Sequence, residues 1–176
     1  MQIRHAQAHD ADAIAYVHHI SRQKAYKGIM PDDYLQLRSL ADRKTQWQEN
    51  VAKSLNGEVV IFVVEEDGDV YGFACLGPTK DNDLNKEKSG ELYALYLAPE
   101  IWGEGYGKQL MQHSINEAIR RGFSDCRVWV YESNARARNF YQSSGFNVDG
   151  AERQVEGGYP LKVVRYSLPL EARIPV

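Results

Sequence analysis

The sequence is poor in cysteine, contains no long apolar run and carries no excess of basic residues. Its 2 cysteines, Cys75 and Cys126, lie on apolar segments without CxxC spacing, which favours buried free thiols over a disulfide or a metal site. No apolar segment approaches the roughly 20 residues that cross a bilayer, and residues 1–10 lack the apolar run of a signal peptide. We therefore expect a cytoplasmic protein that does not bind a membrane.

The charge and composition are those of an ordinary globular protein. A formal net charge of -3 provides no overall basic field for a phosphate backbone, so nucleic acid is not an expected partner. Hydrophobic residues make up 43% and charged residues 26% of the 176 positions, which supplies enough apolar residues for one sizeable core. We expect a single domain over residues 1–176 that binds a small partner.

The hydrophobic pattern predicts alternating helices and strands. The predicted strands lie at residues 2–4, 59–64, 70–76, 91–97, 127–131, 146–148 and 161–168. The predicted helices follow Asp10 and Pro31 and occupy residues 105–121 and 134–143. The strand–helix–strand unit over residues 91–131 implies two parallel strands. Residues 77–90 are charged and predict a solvated loop, and Gly157 and Gly158 predict the turn between the last two strands.

Three alternating glycines, Gly103, Gly105 and Gly107, follow a predicted strand and open a predicted helix. The first N–H groups of a helix have no partner within it, and the helix dipole adds partial positive charge there. Such a junction therefore suits an anion such as a pyrophosphate. The same spacing also fits a tight turn in which glycine supplies only backbone freedom, so both interpretations stay open on the glycines alone.

Two common phosphate-binding motifs do not fit this loop. In a nucleoside-triphosphate P-loop, Trp102 would have to be glycine and Gln109 a hydroxyl residue, although Lys108 does follow Gly107. In a dinucleotide fingerprint the third glycine would come one residue later, and the strand would open the sheet instead of lying mid-chain. The glycine loop therefore does not match the motifs that bind ATP or NAD, and neither is an expected ligand.

A second motif lies on the next predicted helix. Asn134 and Tyr141 share one helix face with Ala137 or Arg138, at spacings of three, four and seven residues. An amide and a phenol are thereby aligned. Taken alone, the same pattern also fits a helix cap at Asn134 followed by core aromatics at Phe140 and Tyr141.

The two motifs together resemble the GNAT superfamily of N-acetyltransferases. The acetyl-CoA loop of that family, Q/R-x-x-G-x-G/A, is similar to residues 102–107, with Trp102 in place of Gln or Arg. Its pattern N-x-x-A-x-x-F-Y-x-x-x-G-F is matched over residues 134–146. The resemblance covers nearly the whole chain. It implies an α/β (α+β) fold: a central mixed, mostly antiparallel sheet of about six to seven strands, splayed between the fourth and fifth strands, with helices on both faces.

The resemblance also implies acetyl-CoA as the co-substrate, without a metal. The backbone of residues 95–97 would hold the pantetheine arm, an N–H at or near Leu97 would polarise the thioester carbonyl, and Asn134 would bond the pantetheine amides. The cofactor-binding residues implied in this way are Leu95, Tyr96, Leu97, Trp102, Gly103, Glu104, Gly105, Tyr106, Gly107, Lys108, Asn134, Ala137 and Tyr141.

Two catalytic residues follow from the resemblance. Tyr141 matches the position of the general acid, since a phenol stays protonated at neutral pH and can protonate the departing thiolate. Glu91, at the start of the splayed strand, is the predicted base, with Glu132 as a second candidate and a merely solvated Glu91 as the alternative. Strand alternation puts Glu91, Tyr93 and Leu95 on one face, unless a bulge changes the phase.

The acceptor amine would be held by the first two helices and the loop before the last strand. The candidate residues are His18, Tyr26, Tyr34 and Tyr159. His18 and His19 point to different helix faces, so they do not form a metal pair, and we expect them to be a surface or partly buried pair.

The predicted function is acetyl transfer to a primary amine of a small molecule, by direct attack through a tetrahedral intermediate, in a monomer or homodimer. Two alternatives remain. The acceptor is the N-terminus or a lysine of a protein or peptide, or the chain is a non-catalytic acyl-CoA-binding module.

Overall fold

The computed structural model describes residues 1–155 and 159–170. Its strands are β1 Gln2–His5, β2 Val60–Glu66, β3 Asp69–Pro78, β4 Ser89–Leu97, β5 Asp125–Tyr131, β6 Asn147–Gln154 and β7 Lys162–Pro169. Its α-helices are α1 Ala11–Tyr26, α2 Asp32–Gln36, α3 Leu40–Leu55, α4 Tyr106–Arg120 and α5 Ala135–Ser143. The turn predicted at Gly157 and Gly158 lies outside the described residues.

The described strands form one sheet in the order β1-β2-β3-β4-β5-β7-β6. Every neighbouring pair is antiparallel except β4 and β5, which are parallel because α4 crosses between them. That parallel pairing extends only from Ser89 to Glu91, opposite Asp125 to Arg127. The predicted mixed, mostly antiparallel sheet is therefore confirmed, and the two central strands separate after three residue pairs.

Helices cover both faces of the sheet. On one face α4 and α5 pack their apolar residues, among them Leu110 and Tyr141, against the sheet. On the other face lie α1 and α3, with Ile14 and Trp47 in the core. The apolar run of β2 alternates between the two cores, which is why nearly every residue of that strand is buried.

Two helix starts differ from the sequence prediction. Asp10 precedes α1 but makes no side-chain cap for it, because its carboxylate accepts hydrogen bonds from Arg4 Nη1 (2.7 Å) and the Gln7 backbone N–H (2.7 Å). The second predicted helix is two helices, since α3 has its own start at Ser39. There Ser39 and Asp42 form a reciprocal capping box.

The loop before β4 was expected to be solvated, and this expectation is wrong for its first part. Asp81 is buried, and its carboxylate accepts hydrogen bonds from Arg165 Nη1 (2.9 Å) and Trp129 Nε1 (3.0 Å). Arg165 also bonds Asp83 and Asp149, both at 2.8 Å or less. A charged network satisfied in this way can be buried, and it fastens the loop to β5 and β7.

The two cysteines are buried free thiols, as predicted, and burial raises the pKa of each to about 12. Within the part of the chain that the structure describes, no helix is long and apolar enough to cross a membrane. The same residues contain no group of three or more metal-ligating side chains placed to hold an ion.

Candidate active site in the gap of the sheet

The separation of β4 from β5 leaves backbone groups of β4 without a strand partner. The Ala98 N–H donates to the Tyr71 carbonyl (2.7 Å) on the β3 side, so the neighbouring Leu97 and, two residues earlier, Leu95 point their N–H and C=O groups into the gap. The Leu97 carbonyl accepts two bonds there, from Ser21 Oγ and Trp102 Nε1, both at 2.7 Å. The end of β4 is thereby fixed while its N–H groups face the opening.

A cleft of ≈ 1090 Å³ runs through this gap. Its walls are residues 92–97 of β4, residues 128–131 of β5, the start and middle of α5, and side chains of α1, α2 and α3. Since α4 and α5 lie on one face of the sheet and α1 and α3 on the other, the cleft joins the two faces. Its size is that of a small-molecule or cofactor site.

A β-bulge in β4 decides which side chains face which side. Cys75 pairs with Ala94 and Leu76 with Leu92, so Tyr93 is the extra residue. Tyr93 and Ala94 consequently pack on the α1 and α3 side, whereas Leu95 packs on the α4 and α5 side. The expectation that Leu95 shares a face with Glu91 and Tyr93 is wrong, because the bulge shifts the alternation by one residue.

The glycine loop presents free N–H groups beside the cleft. Gly103 and Gly105 have φ values of 90° and 92°, which favour glycine, and Gly105 is the residue that precedes α4. Among the described residues, no acceptor bonds the N–H groups of Gly103, Gly105, Tyr106 or Gly107. Four unpaired donors at a helix start form a suitable anion cradle.

The predicted cofactor residues divide into two groups. Those that line the cleft are Leu95, Tyr96, Leu97, Trp102, Gly107, Asn134, Ala137 and Tyr141. Those that do not line it are Gly103, Glu104, Gly105, Tyr106 and Lys108, which form the loop and first turn on either side of Gly107.

Asn134 both caps α5 and faces the cleft. Its Oδ1 accepts a hydrogen bond from the Ala137 N–H (3.0 Å), as the helix-cap interpretation expects. The residue is only 8% exposed, and its amide lies beside the Tyr26 hydroxyl, with which it interacts. The cap therefore holds the amide in the wall of the cleft, next to Tyr26.

Tyr141 lies in the cleft wall with its ring between Phe140 and Phe146, at centroid distances of 5.4 and 5.9 Å. Burial raises the pKa of its phenol above the usual value of 10. No hydrogen bond to its hydroxyl is found within residues 1–155 and 159–170. A buried phenol of this kind holds its proton and can donate it to a ligand.

Comparison with known proteins agrees with this geometry. The Acetyltransferase (GNAT) family matches residues 22–146 of the chain. The chain belongs to the GNAT family. An uncharacterised N-acetyltransferase of Bacillus subtilis, YuaI, is 33% identical over 163 residues, which is 93% of this chain and 87% of that protein. This GNAT protein is accordingly an N-acetyltransferase.

One further relative of this GNAT protein, and one solved structure of similar fold, come from Thermoplasma acidophilum. A spermidine N(1)-acetyltransferase is 26% identical over 164 residues, or 90% of this chain and 98% of that one. The crystal structure of PaiA N-acetyltransferase in complex with coenzyme A has a TM-score of 0.74 at 22% identity, covering 93% of this chain and 96% of that chain. The latter likeness shows the shared fold.

Neither predicted base of the GNAT protein faces the cleft. Glu91 is buried, and its Oε2 accepts hydrogen bonds from the Lys80 N–H (2.8 Å) and Thr79 Oγ1 (3.3 Å). Burial raises the pKa of Glu91. Glu132 is exposed and pairs with Lys162 (2.8 Å). The structure does not bring either carboxylate together with Tyr141 in the cleft wall.

The predicted acceptor residues are only partly brought together. Tyr26 and Tyr34 line the cleft, whereas Tyr159 packs on Tyr34 from outside it, with ring centroids 4.7 Å apart, and donates to Asp33 (3.0 Å). His18 is 7% exposed and lies outside the cleft wall, so the expectation of a surface or partly buried position is wrong for this residue. It occupies the core between α1 and α3 because it pairs with a buried indole.

Three arginines of the cleft were missed by the sequence analysis. Arg22 of α1, Arg38 after α2 and Arg43 of α3 line the cleft on the α1 and α3 side. The Arg22 guanidinium lies over the rings of Tyr34 (5.3 Å) and Tyr131 (5.9 Å). Burial, and then the charges of Arg22 and Arg38, lower the pKa of Arg43 to about 10. No motif marks them, because they come from three separate segments.

The buried His18 makes stability depend on pH. Its Nδ1 accepts a hydrogen bond from Trp47 Nε1 (2.9 Å), and burial, with Arg43 the next cause, lowers the pKa of His18 to about 2. The unfolded chain, with an ordinary pKa near 6.5, takes up a proton that the native protein does not, so stability falls as the pH drops below that value. We expect a loss of about 2 kcal/mol in the free energy of unfolding between about pH 7.5 and pH 5.

The variant that tests this prediction is His18→Gln, because glutamine keeps a hydrogen-bond acceptor for Trp47 but does not titrate. Urea unfolding at a series of pH values should show a flatter dependence between about pH 7.5 and pH 5 in the variant than in the wild type. Equal slopes for the two proteins would contradict the assignment of a neutral, buried His18.

Proposed function

We propose that the protein transfers the acetyl group of acetyl-CoA to the primary amine of a small molecule. The observation that carries the proposal is the gap between β4 and β5. The cleft in this gap contains strand backbone with unpaired donors and a buried phenol, and the cradle of free N–H groups adjoins it at Gly107. This combination supplies what acyl transfer from a thioester requires: an anchored cofactor, an oxyanion donor and an acid.

The cofactor would bind along the α4 and α5 side of the gap. Its pyrophosphate lies at the N–H groups of Gly103, Gly105, Tyr106 and Gly107, and its pantetheine arm follows β4 toward the sheet. Gly107 is the member of this loop that lines the cleft, next to Phe140 and Leu97.

Arg136 would replace the charge that the loop lacks. Trp102 occupies the loop position where the family pattern has Gln or Arg, and its indole bonds the Leu97 carbonyl instead of facing a phosphate. The Arg136 guanidinium lies over the Trp102 ring at 4.2 Å, and the side chain is otherwise exposed. Stacked in this way on the loop, it can contact a pyrophosphate held by the neighbouring glycines.

The chemical steps follow from these positions. The neutral amine attacks the thioester carbon, the C–N bond forms, and the oxyanion of the tetrahedral intermediate is stabilised by the Leu97 N–H in the gap. Collapse of the intermediate breaks the C–S bond, and Tyr141 gives its proton to the thiolate sulfur. Because Glu91 and Glu132 do not line the cleft, the amine proton leaves to water, and water also reprotonates Tyr141.

The acid role of Tyr141 is tested by Tyr141→Phe. Removing the hydroxyl should lower kcat about 100-fold, the range of a lost general acid, and leave the Kd for acetyl-CoA unchanged by calorimetry. Tyr16→Phe, on the exposed side of α1, is the control and should behave as wild type. Unchanged turnover would refute the acid role, and failure to bind acetyl-CoA in preference to ATP and NAD would refute the proposed function.

The role of Arg136 is tested by Arg136→Ala. Loss of one charge-assisted contact should weaken acetyl-CoA binding about tenfold, with a smaller loss at high salt, because salt screens exposed charges. The control is Arg120→Ala at the far end of α4, where the side chain is 70% exposed and pairs with Glu117. If the Arg136 variant binds acetyl-CoA as tightly as the control and the wild type do, Arg136 does not replace the side chain that is missing at Trp102.

A further inference from the structure

The charges in the cleft wall are all of one sign. The described residues that line it include five arginines and Lys24, and no aspartate or glutamate. Two of the arginines lie near other features already described: Arg136 stacks on Trp102, and Arg153 stacks on Trp129 and pairs with Asp81. The remaining three, Arg22, Arg38 and Arg43, form a cluster on the α1 and α3 side.

No carboxylate contacts this cluster. Within the described residues, no Asp or Glu oxygen lies within 4.0 Å of a nitrogen of Arg22, Arg38 or Arg43. Asp42 is close enough to interact with the charges of Arg38 and Arg43, but it is exposed, and its carboxylate accepts hydrogen bonds from Ser39 instead (2.8 Å). The three guanidinium groups therefore share one end of the cleft without a carboxylate in contact.

The burial of Arg43 makes this arrangement costly for the protein alone. The residue is 7% exposed, and within the described residues the one hydrogen bond of its guanidinium goes to Gln46 Oε1 (3.1 Å). A buried cation without a paired anion is unfavourable, and like charges beside it add repulsion. Such unpaired, perturbed charges in a cleft are typical of ligand sites, because a bound anion removes the cost.

An anion bound by the arginine cluster would not be part of the cofactor. The glycine loop and Arg136 lie with α4 and α5, whereas the arginine cluster lies across the gap on the other face of the sheet. Side chains of β5 alternate between the two faces of the sheet, and those of Val128 and Val130 lie in the core beside α4 and α5. The next side chain, Tyr131, therefore lies on the α1 and α3 face, with the arginine cluster. An anion held by the cluster therefore belongs to the molecule that approaches the thioester from the opposite face.

We infer that the acceptor is an amine that also carries a carboxylate or phosphate group, bound by Arg22, Arg38 and Arg43 with its amine directed into the gap. This inference rests on the proposed function and names its substrate class. The guanidinium fork suits both anions, since it donates two parallel hydrogen bonds to either. The Tyr26, Tyr34 and Tyr131 rings hold Arg22 in place by stacking. A polycation such as spermidine is repelled by the same cluster.

The first test compares amines that differ only in the anionic group. The pairs are leucine with leucinamide and phosphoethanolamine with ethanolamine, and spermidine is the polycation. Leucinamide also resembles a peptide N-terminus, and its less basic amine is more often neutral, so intrinsic reactivity favours it over leucine. We expect kcat/KM to be at least about tenfold higher for the anionic member of one or both pairs, with spermidine the poorest substrate.

The outcomes separate the inference from the function on which it rests. Acetylation of leucinamide, ethanolamine or spermidine with equal or higher efficiency than the anionic amines would overturn the charge assignment and leave the acetyltransferase activity in place. Failure to acetylate any of the five amines, by a protein that binds acetyl-CoA, would overturn both. Preference for only one pair would identify the anion as a carboxylate or a phosphate.

The second test reverses one charge of the cluster. Arg38 is exposed, so Arg38→Glu should fold, and it should lower kcat/KM for the preferred anionic amine about tenfold or more while the neutral partner changes little. Lys27→Glu is the control, because Lys27 is an exposed cation directly after α1 that lies outside the cleft wall. The Kd for acetyl-CoA should be unchanged in both variants. Equal effects of the two variants on the anionic and neutral amines would contradict the inference.

Discussion

The separation of β4 from β5 is the constraint on which the site depends. The two strands pair for three residues and then diverge, yet each keeps an antiparallel ladder along its outer side, β4 with β3 (interrupted by the bulge at Tyr93) and β5 with β7. The outer ladders hold the strands in place, so the gap persists without the hydrogen bonds that would normally close it. The bonds from Ser21 and Trp102 to the Leu97 carbonyl fix the end of β4 from both sides of the sheet. The unpaired N–H groups of β4 are therefore preorganised, which is the condition for stabilising an oxyanion without reorganisation.

Electrostatics divides the cleft into two ends. Beside one end lie the free N–H groups of Gly103, Gly105, Tyr106 and Gly107 and the dipole of α4. The other end has the arginine cluster, and the buried Tyr141 phenol lies in the wall between them. The whole chain has a formal net charge of -3, so this local positive field cannot be read from the composition. A cleft that is positive at both ends suits an anionic cofactor and an anionic acceptor that meet at a neutral centre.

Much of the fold was predictable from local sequence. The hairpin of β2 and β3, the parallel pair across α4 and the helix that begins after Asn134 all follow from hydrophobic period, turn residues and caps. The residues around Gly105 and Tyr141 were found because each lies in a compact motif. Other features depend on contacts between distant segments. The bulge at Tyr93 is set by register with β3, and the burial of His18 depends on its pairing with Trp47, 29 residues away in the chain. The arginine cluster joins three helical segments that no short pattern connects.

Residue-resolved amide hydrogen exchange, with and without coenzyme A, tests directly whether the free N–H groups of the gap and the glycine loop bind the cofactor. We expect slower exchange on binding at Leu95 and Leu97 in the gap and at Gly103, Gly105, Tyr106 and Gly107 of the glycine loop, since these N–H groups gain acceptors only from the ligand. The amides that already pair β6 with β7 should exchange at the same rate in both states. Binding without protection at the gap and the loop, or with protection confined to another part of the sheet, would contradict the account.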